Sequence, residues 1–192
     1  MLKRLLLILA PAVLSLSAHP QDIEAVLAHP PYKEAFVCSE HAFGQLPYLG
    51  DDLGQDCIIQ RFVEVQGRLW ARLHAGDGTR NEDWYGWNQE VLSPCSGTVM
   101  ETRINTVTNS PGIPGKPPGT SITIRRDDGV CFLLAHLKDL KVKDKDRVSA
   151  GQVIGRVGNN GFARTPHIHI GAWKDKKALQ IRWDQKKMKV MD

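Results

Sequence analysis

The chain has 192 residues, 42% of them hydrophobic and 24% charged, with 17 glycines and 11 prolines. That length holds one ordinary domain with a buried core and a short lead-in, but hardly two, and the composition excludes a disordered chain in favour of a turn-rich globular one. The formal net charge is +4, falling to +2 without Lys3 and Arg4, a mild balance that suits an anionic envelope and excludes little.

Lys3 and Arg4 precede an apolar stretch over residues 5–16, with small residues at Ser15, Ser17 and Ala18. This is the order of a secretory signal, so residues 1–18 are expected to be removed by cleavage after Ser17 or Ala18. The stretch is shorter than the roughly 20 apolar residues of a spanning helix. No other segment is apolar enough to span, so the mature chain is expected to be exported, periplasmic or secreted, with no membrane attachment.

Residues 19–56 read as a lead-in to a domain over 57–192, with a short helix expected within 21–35, interrupted by His29-Pro30-Pro31. Four cysteines in an exported chain point to disulfides. Of the three possible pairings, Cys38 with Cys57 and Cys95 with Cys131 is preferred: the first closes a loop in the lead-in, and the second is expected to staple neighbouring strands. No C-x-x-C spacing supports a thiolate metal site.

Residues 57–73 are rich in β-formers around Gln66-Gly67 and predict a hairpin entering the core. Residues 74–89 are Gly-, Asp- and Asn-rich with Trp84, Tyr85 and Trp87, an ordered loop beside a functional surface. Strands are expected at 91–93, 98–103, 121–126 and 130–135, the last two joined by the Asp127-Asp128-Gly129 turn. The Pro- and Gly-rich run 109–119 is a surface loop. Short apolar runs between turn residues over 142–157 fit a small β-sandwich or barrel. The domain is therefore expected to be mainly β and antiparallel. The Lys-rich tail over 174–189 carries no nucleic-acid module and reads as a solvated face.

The triplet His167-Ile168-His169 carries the most chemistry. On a strand, residues two apart face one side, so both imidazoles share one site while Ile168 and Ile170 enter the core. Neutral imidazole is a good zinc ligand and moves protons near neutral pH.

Around the triplet stand Ala135-His136-Leu137, the segment Val148-Ser149-Ala150-Gly151-Gln152-Val153-Ile154-Gly155, the loop Gly158-Asn159-Asn160-Gly161, and Ser93-Pro94-Cys95-Ser96-Gly97-Thr98-Val99. In this order over residues 91–172 the chain resembles the M23 metallopeptidases of the lysostaphin/LytM type. The resemblance implies the compact LytM fold, one Zn2+ per chain, and an endopeptidase acting on peptidoglycan cross-links or stem peptides. It makes His169 a metal ligand and places His136 and His167 beside the metal as proton-transfer and oxyanion-stabilising groups.

The chain departs from the family in its other two ligands, since the usual H-x-x-x-D is missing. His74 with Asp83 is the preferred pair, Asp77 the alternative, because Asp83 stands nearer the family's carboxylate position. His19, His29 and His41 have no matching partners and receive no role. Asn159 and Asn160 are expected to set the Gly-rich turn through left-handed backbone. The irregular ligand pair also motivates an alternative, a catalytically degenerate LytM-like module that binds or regulates wall hydrolases. The turns at 94–99 and 148–155 also resemble lipoyl- and biotinyl-carrier domains, but no V-K-M or D-K-A motif is present.

Overall fold

The structure, a computed structural model, describes residues 22–188. The signal expected over residues 1–18 lies outside the described residues. Among those described, no helix is long and apolar enough to cross a membrane.

Among the described residues, fourteen strands and two short 3-10 helices build the fold. The main sheet runs in the order β1 (Ala25–Ala28), β14 (Lys177–Trp183), β13 (Ile168–Lys174), β9 (Cys131–Ala135), β8 (Ser121–Arg125), β7 (Gly97–Arg103) and β11 (Arg147–Val148). Strand β3 (Gln55–Ile59) pairs with the first half of β13 and carries β2 (Phe36–Glu40) on its other side. A smaller sheet, β10 (Leu137–Lys138), β12 (Val153–Val157) and β6 (Glu90–Leu92), shares the core with the main one. The strands of residues 25–59 are thus integral parts of the main sheet.

Period-two alternation decides which face is which. Ile122, Ile124, Phe132, Leu134, Ile168 and Ile170 are fully buried and meet Val91, Leu137, Ile154 and Val157 of the smaller sheet. Their odd-even neighbours Ser121, Thr123, Leu133, Ala135 and His169, with Asp56 and Ile58 of β3, face the other way and floor a cavity of about 1020 Å³. One face of the sheet therefore makes the core and the other makes the site.

Three expectations are corrected. The segment within 21–35 is a strand, not a helix: β1 lies parallel to β14, with Val26 and Ala28 buried in alternation. A tertiary partner overrides a weak local preference here. The hairpin β4 (Arg61–Val65) and β5 (Arg68–Arg72) turns at Gln66-Gly67 as expected but does not enter the core; Leu69 and Trp70 are exposed. Charged residues occupy both of its faces, so neither can be buried.

Cys38 and Cys57 form a disulfide across β2 and β3, whereas Cys95 and Cys131 are free. The reason is topological: β8 lies between β7 and β9. Strands two apart are about 9–10 Å from each other, beyond the reach of a disulfide.

Candidate active site and metal centre

Strand β13 begins at Ile168, and its register sets His169 opposite Asp56 of β3 on one side and Ala135 of β9 on the other. Asp56 Oδ1 lies 2.9 Å from His169 Nδ1 and 3.6 Å from His167 Nε2, so both imidazoles reach one carboxylate, as the two-residue spacing predicts. His41 leaves the end of β2, its backbone N–H donating to the Gly54 carbonyl at 2.8 Å. Its Nε2 stands 3.6 Å from Asp56 Oδ2. One donor atom from each of His41, Asp56 and His169 lies within 4.8 Å of the others, which makes these three the metal-capable group among the described residues.

The donor chemistry fits zinc: two imidazoles and a carboxylate leave one tetrahedral position open for substrate or water. Burial opposes the charge on Asp56, but hydrogen bonds from His167 and His169 outweigh it and hold the carboxyl far below its usual range. Burial likewise opposes charge on His169, and contacts to Asp51, Asp56 and the Gly50 carbonyl overcome it, lifting its pKa to about 10. These opposite shifts describe donor atoms converging on one point, where a proton and a divalent cation would compete.

His136 sits between β9 and β10 with φ +64°, a left-handed conformation uncommon outside glycine. The bend brings its ring to 4.8 Å from that of His167 and 6.3 Å from that of His169. Its Nδ1 donates to the Asn160 carbonyl at 2.9 Å, which leaves the lone pair on Nε2. Burial and the neighbouring His167 and His169 push its pKa down to about 3, so the ring is neutral near pH 7. His167 is held in the same way, Nδ1 donating to the Thr165 carbonyl at 2.7 Å.

Asn160 fixes the loop beneath His136. Its Nδ2 donates to the Leu137 carbonyl and its Oδ1 accepts from Thr120 N–H, both at 2.7 Å. The left-handed residue of this turn is Gly161, with φ +63°; Asn160 acts through buried side-chain hydrogen bonds rather than through its own backbone conformation.

The structure does not bring His74 and Asp83 to His169. His74 forms an isolated bridge with Trp84, its ring 5.0 Å from the indole and packed against Gly78. Asp83 accepts from the Arg80 backbone N–H and guanidinium, each at 3.0 Å. Asp77 caps Thr79.

His41 and Asp56 are functional candidates that reading the chain by motif misses, although two signals point to them. Aspartate is depleted in strands, yet Asp56 stands within β3, between Gln55 and the apolar Cys57-Ile58-Ile59. The Cys38–Cys57 pairing, chosen from sequence, also ties together the neighbourhoods of His41 and Asp56.

Residues 84–181, about half of the chain, match the family model for Peptidase family M23. Over 61 residues the chain is 36% identical to an uncharacterized metalloprotease of Buchnera aphidicola subsp. Baizongia pistaciae, covering 32% of this chain and 16% of that protein. Over 53 residues it is 42% identical to the glycyl-glycine endopeptidase ALE-1 of Staphylococcus capitis, covering 27% of this chain and 15% of that one. The matched stretches thus span under a fifth of these curated relatives. Among solved structures, the catalytic domain of the antimicrobial peptidase lysostaphin from Staphylococcus simulans aligns with a TM-score of 0.41 at 19% identity, covering 77% of this chain and 80% of that one. The family match starts at Trp84, downstream of both His41 and Asp56.

Proposed function

The chain belongs to peptidase family M23, and from that premise we propose that it is an exported zinc-dependent endopeptidase cutting peptide bonds in peptidoglycan stems or cross-links. The ligands proposed are His41, Asp56 and His169, in place of the His74 and Asp83 pair. The observation that carries this reading is their convergence beside His136 and His167 in one cavity.

Zinc bound there supplies Lewis-acid polarisation of the scissile carbonyl and a more acidic water. The protein's own groups do the rest. Neutral His136, its Nδ1 tied to Asn160, presents Nε2 to accept a proton from the attacking water and return it to the leaving amine. His167, its Nδ1–H tied to Thr165 and its Nε2 on the Asp56 side, stabilises the oxyanion that develops on the carbonyl when the ring is doubly protonated and Nε2–H can donate. The open face of the sheet seats an extended peptide across these groups.

Export is supported by the charged and apolar order of the first residues and by the Cys38–Cys57 disulfide, which belongs to an oxidising compartment. With His41 and Asp56 as ligands, the degenerate-module reading loses the irregular ligand pair that motivated it.

The test is His41→Ala. Wild type is expected to hold one zinc per chain, and the purified variant to lose it and to stop releasing peptides from peptidoglycan. Full zinc content and digestion in that variant, or digestion by metal-free wild type, would refute the proposal.

A further inference from the structure

The ligand set proposed above leaves one feature of the cavity unused, the loop between β2 and β3. Its residues Gly50 and Asp51 touch both histidine ligands, and each contact is to a nitrogen facing away from Asp56.

His41 Nδ1 lies 3.1 Å from the Asp51 carbonyl oxygen. A carbonyl only accepts, so Nδ1 carries the hydrogen and Nε2, on the Asp56 side, keeps the lone pair. His169 is arranged the other way round. Its Nε2 lies 2.8 Å from the Gly50 carbonyl oxygen and 3.2 Å from Asp51 Oδ1. Both are acceptors, so Nε2 carries a hydrogen; Nδ1, 2.9 Å from Asp56 Oδ1, donates to that carboxylate and is the nitrogen whose proton a cation bound beside Asp56 would replace.

Resting on that ligand set, we infer that Asp51 is a positioning residue: with the adjoining Gly50 carbonyl it makes His41 bind metal through Nε2 and His169 through Nδ1. Its carboxylate behind His169 also raises the basicity of that ligand, the usual effect of a carboxylate on the far nitrogen of a metal-bound imidazole.

The loop is built to hold this position. Asp51 N–H donates to the Tyr48 carbonyl and Gly54 N–H to the Asp51 carbonyl, both at 3.0 Å, while His41 N–H closes the loop on the Gly54 carbonyl. Gly50 is at φ +91°. Across from it, a Cβ on Gly171 of β13 would collide with the Gly50 carbonyl oxygen, and a Cβ on Gly54 would strike the His169 ring. Bare backbone at these places lets the carbonyl press directly against the ligand strand.

The experiment measures zinc affinity by chelator competition on the full chain, for wild type, His41→Ala, Asp51→Ala and Asp51→Asn, with the ring nitrogen shifts of zinc-loaded protein read by 15N NMR. Asp51→Ala is expected to weaken zinc about 10- to 100-fold at unchanged stoichiometry and to shift the His169 ring signals. Asp51→Asn, which keeps the side-chain shape, is expected to do so less, and it carries the test if the alanine variant does not fold. Wild-type affinity and unchanged ring shifts in the Asp51 variants would overturn the inference. Wild-type affinity in His41→Ala would instead sink the ligand set beneath it.

Discussion

Residues 41–56 and residues 74–83 each carry one histidine and more than one aspartate, yet it is His41 and Asp56 of the first stretch that join His169 in a metal-capable group. In the second stretch both aspartates are answered nearby, Asp83 by Arg80 and Asp77 by Thr79, and the His74 ring packs on Trp84 and Gly78 with its Nδ1 unpaired among the described residues. In the first, the partners come from far along the chain. Asp56 is held opposite His169 by strand register, and His41 follows a cysteine disulfide-bonded to the neighbour of Asp56. Groups that satisfy one another within a turn stabilise a loop, whereas donor atoms gathered from distant segments are what a metal site requires.

The sharpest way to break that contrast is to remove Asp56 from the first stretch and Asp83 from the second. Asp56→Ala is expected to abolish both zinc content by elemental analysis and peptidoglycan digestion, because two protein ligands hold catalytic zinc too weakly. Asp83→Ala is expected to leave both near wild type, with only a small fall in Tm from the lost contacts to Arg80. Zinc loss in Asp83→Ala together with retention in Asp56→Ala would reverse the assignment.

Next in size are the proton-transfer candidates. His136→Ala and His167→Ala should each lower kcat/KM by about 10²- to 10⁴-fold while keeping one zinc per chain. A variant that lost the metal as well would make its histidine a ligand instead.

Removing the disulfide sharpens the contrast from the side of stability. The bond closes a loop with a sequence separation of 19, worth about 3 kcal/mol by chain entropy. A Cys38→Ser, Cys57→Ser double variant should show that loss in denaturant titration, along with weaker zinc binding that the His74 stretch does not share.

The smallest effect concerns Tyr32, whose buried hydroxyl donates to the Cys57 carbonyl at 2.8 Å, beside Asp56. Burial pushes its ionisation well above the ordinary value of 10. A raised folded-state pKa means that the contribution is intact below the unfolded value and is lost as pH rises past it. Stability should therefore fall in alkaline solution from about pH 10. Tyr32→Phe should flatten that fall in a series of Tm measurements, and an unchanged alkaline slope would discount Tyr32 as its source.

Much of this architecture is legible in the residues. Gln66-Gly67 marks its hairpin, Asp127-Asp128-Gly129 its turn, and His167-Ile168-His169 two imidazoles on one side of the chain at the start of a strand, because each depends on backbone preferences or alternation acting within a few residues. The strand at Ala25–Ala28, the separation of Cys95 from Cys131 and the exposure of Trp70 are not legible in this way. Each depends on what packs alongside: β14 recruits β1, β8 intervenes between the two cysteines, and among the described residues no sheet covers the hairpin.

By itself, the sequence determined that the domain is mainly β and that His167 and His169 face the same way, while it left three cysteine pairings possible and preferred a set of which Cys38–Cys57 alone forms. Only the tertiary structure decided which imidazole and carboxylate join them. A zinc-sized cluster is a matter of ångströms between segments far apart in the chain, and strand register, not spacing along the sequence, sets those distances.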